Sequence, residues 1–84
     1  MIQKTLKIKQ SELNKRFGYL EGLKEGTKVV KGEISYDDAT RYACLKYSNV
    51  TPEPRLNDYR KGIDDAFFGK ITDIEVIDDL TRSM

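Results

Sequence analysis

A chain of 84 residues, 38% hydrophobic and 35% charged, suits one small soluble domain spanning 1–84 and excludes a second core. Its single cysteine, Cys44, excludes an intramolecular disulfide and favours a reducing, cytoplasmic setting. The absence of histidine removes the usual general base, the common zinc ligand and any Ser–His or Cys–His pair. No apolar run approaches the roughly 20 residues of a membrane span, and no signal-peptide core follows Met1.

The formal charge of +1 hides an asymmetry. Residues 1–34 hold eight Lys/Arg against four Glu, whereas residues 63–84 hold six Asp/Glu against two Lys/Arg. A basic front and an acidic tail can attract one another, within the chain or between copies.

Residues 2–9 alternate Leu6 and Ile8 with Lys7 and Lys9, the period of a half-buried strand. Ser11 is placed to cap a helix over 11–25, and Gly26 to end it. Leu13, Phe17, Leu20 and Leu23 form its expected buried stripe. Asn14, Gly18 and Gly22 recur every four residues and give that helix a smooth strip. Two interior glycines cost roughly 1 kcal/mol each against alanine, so the strip predicts close approach of another backbone.

Val29, Val30 and Ile34, bracketed by Gly26 and Gly32, predict a short strand over 28–34. A helix over 36–48 opens at Ser35, with Asp38 three residues on as in a capping box; Ala39, Tyr42, Ala43 and Cys44 are its inward candidates. Thr51–Pro52 starts a helix over 52–68, because proline in a first turn has no N–H to lose. Leu56, Tyr59, Ile63, Ala66 and Phe67 form one stripe along it. The β-branched run after Gly69 predicts a strand over 70–77, although its isoleucines, at i, i+3 and i+6, also fit a short helix; residues 81–84 should fray. The expected class is α+β: a small domain with about three helices packed on a short two- to three-stranded sheet.

Little in the chain points to chemistry. One cysteine cannot build a zinc or iron–sulfur site, and with no basic neighbour evident Cys44 reads as a small buried apolar group. Asp37–Asp38, Asp64–Asp65 and Asp78–Asp79 are adjacent pairs, and adjacent side chains diverge on a helix or strand. No catalytic, cofactor or metal residues are assigned, and an enzyme is not expected. The smooth strip and the tyrosines, which serve as core-edge residues or anchors, give a candidate interface of Gly18, Gly22, Tyr36, Tyr42 and Tyr47.

Lys4-Thr5-Leu6-Lys7-Ile8-Lys9, then Ser11-Glu12-Leu13, Phe17, Leu20 and Gly26, resembles the opening of a ribbon–helix–helix DNA-binding protein. The resemblance covers about the first 26 residues. It implies a dimeric regulator whose outward strand residues, here Thr5, Lys7 and Lys9, enter the major groove from a two-stranded ribbon shared by two copies. This is the alternative reading. The near-neutral pI of 7.8 lacks the basic footprint of a nucleic-acid binder.

The leading expectation is a non-catalytic binding protein that acts through protein contacts or captures a small ligand. Its composition suits a small accessory or inhibitor protein of phage or mobile-element type. A core of this size yields only roughly 3–5 kcal/mol, so self-association is also expected.

Overall fold

The computed structural model describes residues 3–47 and 53–79. Strand β1 (Thr5–Lys9) leads into a short helix α1 (Gln10–Asn14), followed by α2 (Tyr19–Val30), α3 (Tyr36–Tyr47), α4 (Glu53–Gly69) and strand β2 (Asp73–Ile77). The fold is a small α+β arrangement of four helices and a two-stranded parallel sheet. Thr5 pairs with Asp73, Lys7 with Glu75 and Lys9 with Ile77. Parallel strands need a crossover, and all four helices lie within it. The sheet starts where buried Thr72 accepts from the Lys4 backbone N–H at 2.8 Å and its own N–H donates back to the Lys4 carbonyl at 2.9 Å.

The tightest junction is between α2 and α4. A Cβ built on Gly22 would lie 2.0 Å from the Tyr59 carbonyl oxygen, and one on Gly62 would lie 2.3 Å from that of Tyr19. A Cβ on Gly26 would meet Ile63 O and Ala66 Cβ, each at 2.6 Å. Contacts thus climb from Gly22 against Tyr59 to Gly26 against Ala66, so the two helices run parallel. Gly22 and Gly26 on α2 face Gly62 and Ala66 on α4, a small residue every fourth position on both sides.

No side chain larger than the Ala66 methyl fits in this seam, and the larger apolar side chains gather in two clusters. Leu13, Tyr19, Leu23, Ala66 and Ile71 pack with Leu6, Ile8, Leu20 and Ile74. Ala39, Ala43, Tyr59 and Ile63 pack with Val29, Ile34, Tyr36 and Leu56. The stripe expected on α4 is therefore internal at Tyr59, Ile63 and Ala66, with Leu56 partly buried.

Several boundaries differ from expectation. The helix expected over 11–25 is two helices, because Gly18 takes φ 92° and the chain turns across 15–18. Phe17 falls in that turn and is exposed rather than part of the buried stripe. Gly26 does not end α2 but lies buried in its interior, and residues 28–30 continue the helix instead of starting a strand. Tyr19, Gly22, Leu23, Gly26 and Thr27 are buried at a helical spacing; that packing overrides the strand preference of Val29 and Val30. On α3 the buried face is Ala39 and Ala43, and both Tyr42 and Cys44 are exposed. The Thr51–Pro52 start and residues 81–84 lie outside the described residues.

The helix ends are satisfied in different ways. Ser35 Oγ accepts from the Asp38 N–H at 3.0 Å, as a cap should. Ser11 is not a cap: Lys9 holds that position, and its side chain makes no capping bond. Asp79 takes over from beyond β2, with one carboxylate oxygen accepting from the Ser11 N–H at 2.9 Å and the other from its hydroxyl. Helices α2 and α4 end alike. Gly32 N–H bonds Val29 O and Glu33 N–H bonds Lys28 O, while Lys70 N–H bonds Phe67 O and Ile71 N–H bonds Ala66 O. This paired pattern calls for a left-handed residue just past the helix. Gly32 supplies it at φ 80°, but after α4 that residue is Lys70 at φ 55°.

Two substitutions test this frame by urea unfolding. Gly22→Ala drives a methyl into the α4 backbone and should cost at least roughly 1–3 kcal/mol. Lys70→Gly removes the left-handed penalty and should stabilise by roughly 0.5–1 kcal/mol after allowing for the unfolded-chain entropy that glycine adds.

Candidate functional site

Because α2 and α4 run parallel, their C-terminal ends arrive side by side. Neighbouring helix residues point about 100° apart, so Phe67 and Phe68 cannot both turn inward. Phe67 is half-buried and Phe68 is 72% exposed. Tyr36, at the start of α3, stacks on Phe67 with ring centroids 4.9 Å apart, and Phe68 meets Phe67 edge-on at 5.1 Å. Phe67, expected in the core stripe, thus joins an aromatic wall instead. Beside it lies an open groove of about 700 Å³, lined by Val29 and Val30 from α2, Phe67, Phe68 and Gly69 from α4, and the lysines Lys4 and Lys70.

Carboxylates hold Tyr36 of the wall and Tyr19 of the core. Asp64 accepts from the Tyr36 hydroxyl at 2.5 Å, and Asp65 accepts from the Tyr19 hydroxyl at 2.5 Å. The divergence of adjacent residues on α4 sends one aspartate to α3 and the other to α2. Lys61 adds a 2.9 Å ion pair to Asp65, and the Arg16 guanidinium lies 3.8 Å above the Tyr19 ring. Burial first, and then the bond and charge of Asp65, push the Tyr19 hydroxyl up to about 12. The hydrogen bond to Asp64, helped by burial, raises that of Tyr36. Burial works to raise the Asp65 carboxyl, but hydrogen bonds from Tyr19 and Lys61 and the charges of Lys61 and Arg16 outweigh it and hold the carboxyl low. Asp79 is also held low by the hydroxyl and N–H of Ser11.

The sequence-derived candidates are scattered. Gly22 is consumed inside the protomer by α4 and offers no surface to a partner. Gly18 shapes the turn before α2 and is not part of a helical strip. Tyr36 anchors the aromatic wall, whereas Tyr42 is 49% exposed elsewhere, in shallow depressions with Glu25 and Lys28. Tyr47 ends α3, and its side chain lies outside the described residues. Cys44, expected to be buried, is exposed in a depression it shares with Asp37, Thr40, Arg41 and Arg60. Among the described residues no three His, Cys, Asp or Glu side chains converge to hold a metal, and no helix is long and apolar enough to cross a membrane.

Thr5, Lys7 and Lys9 are exposed on one face of β1. In register beside them on β2 stand Asp73, Glu75 and Ile77, so the basic front meets the acidic tail within the chain. The ribbon–helix–helix resemblance implies a strand shared between copies, whereas here β1 pairs in parallel with a strand of its own chain.

The groove residues Val30, Phe68, Lys4 and Lys70 escaped the sequence reading. The signal within reach was the Phe67–Phe68 pair at a helix end, since one of two adjacent aromatics must face out. Comparison with protein-family models, curated proteins and solved structures finds no match.

The tyrosine–aspartate ties predict how stability varies with pH. Asp65 has a depressed folded pKa, so its contribution is present above the ordinary carboxylate value and is lost as acid protonates it, below about pH 4. Tyr19 has a raised folded pKa, so its contribution is full below about pH 10 and is lost as pH rises toward 12. Unfolding midpoints should fall at both extremes, and Tyr19→Phe should flatten the alkaline arm. An unchanged alkaline arm in that variant would assign the loss to another group.

Proposed function

We propose that this chain is a non-catalytic binding protein that captures a small ligand in the groove between the ends of α2 and α4. The observation that carries this reading is the exposed Phe68, set edge-on to Phe67 beside a groove of about 700 Å³. Ligand pockets run roughly 300–1,000 Å³ and combine apolar walls with a few polar groups. Two valines and two phenylalanines supply the walls, with the lysines as polar groups. Phe67 is held by Tyr36, and Tyr36 by Asp64, so most of the wall is in place before a ligand arrives. Among the described residues the lining offers no carboxylate, hydroxyl or thiol to act as acid, base or nucleophile, which supports capture over turnover. A small binding protein of this kind agrees with the accessory or inhibitor role that composition alone suggests.

Titration with the neutral fluorescent dye Nile red tests the reading. Saturable single-site binding is expected, weakened at least about tenfold (1.4 kcal/mol) by Phe68→Asp. Leu45→Asp, at an equally exposed apolar position on α3, should leave it unchanged. Equal binding by the Phe68 variant and the parent would remove the groove as the site.

A further inference from the structure

We infer that the ligand of this groove is an amphipathic anion: a small free molecule with an apolar tail and a carboxylate or similar head held between Lys4 and Lys70. This deepens the capture reading and rests on it. Apolar surface alone would not select a charge, but the lining does. Among the described residues its only charged ones are the two lysines, which come from opposite ends of the sequence. Neither is in an ion pair with a described carboxylate.

A competing account is that the lysines merely offset the negative ends of α2 and α4, both of which reach the groove. The magnitudes decide against it. Each helix end carries about −0.5 of a charge, and within the last turns the carbonyls of Lys28, Val29, Ala66 and Phe67 already accept hydrogen bonds from Glu33, Gly32, Ile71 and Lys70. Two full positive charges against two such ends leave an excess of about +1. The backbone adds a second observation. The residue after Gly69 must be left-handed, a place where glycine is unstrained, yet a lysine stands there at φ 55°. Strained conformations of this sort cluster at ligand clamps. The tail then lies along Val29, Val30 and the phenylalanines, with the head at the lysine rim.

The discriminating experiment displaces Nile red from the native protein with decanoate and with decanol, which share a tail and differ in charge. Decanoate should compete at least tenfold better, and its advantage should shrink with added salt. Lys4→Met and Lys70→Gly should each remove most of that advantage and leave decanol unchanged. Lys70→Gly is informative because the substitution relieves strain: weaker decanoate binding in a protein that melts no lower cannot be ascribed to unfolding. Equal competition by the two compounds, or lysine variants that bind decanoate as before, would overturn the anion and leave groove capture standing. If the dye does not bind at all, capture itself fails. Co-sedimentation with vesicles of anionic phospholipid, lost in the lysine variants, would overturn the free ligand in favour of a membrane surface.

Discussion

The approach of α2 to α4 at Gly22, Gly26 and Gly62 is the constraint on which the rest of the structure depends. At these positions the two backbones are so close that a single methyl on either would overlap the other helix's main-chain atoms. Contact of this kind replaces side-chain interdigitation with main-chain van der Waals packing, which is short-ranged and sensitive to fractions of an ångström. The cost is the helix propensity lost at each glycine. What is gained is a fixed parallel alignment, and that alignment sets the topology. Helix α3 returns the chain between the two, and β2 follows α4 back to lie parallel to β1.

Polar ties then fix what the seam leaves free. Asp64 and Asp65 reach opposite neighbours from adjacent positions, and Asp79 closes the start of α1 from the far end of the chain. None of these carboxylates converges with another into a metal site among the described residues. They serve as acceptors for tyrosine and serine hydroxyls and for one backbone N–H. Each tie joins elements that are distant in sequence, so together they resist separation of the layers more than fraying of any one helix.

The groove follows from the same alignment. Two helices that end together leave a notch beyond their last turns, where side chains splay and no third element among the described residues fills the space. Because α4 ends in two adjacent aromatics, one of them is left in the notch. Tyr36 and its bond to Asp64 steady the inner ring, and the turn into β2 places Lys70 at the rim. Apolar walls and two lysines therefore share one site as a consequence of how the helices stop.

Much of the local structure was legible in the sequence. The alternation at Leu6 and Ile8, the Ser35–Asp38 cap, the α3 helix and the Tyr59–Ile63–Ala66 stripe depend on neighbours within one turn or one strand, and such short-range terms act in the chain itself. The need of the first glycines for a facing backbone was also visible at Gly22. Where that backbone lay was not, because a glycine records only that something comes close. The tertiary structure decided that it was α4 of the same chain, and so kept residues 28–30 helical against the preference of their valines. It also joined the basic front to the acidic tail as paired strands, and it assembled the groove from Lys4, Val30, Phe68 and Lys70. Lys4, Val30 and the Phe68–Lys70 stretch are far apart in sequence, and no periodicity links them. They meet only because two glycine-faced helices pack in parallel and end at the same level.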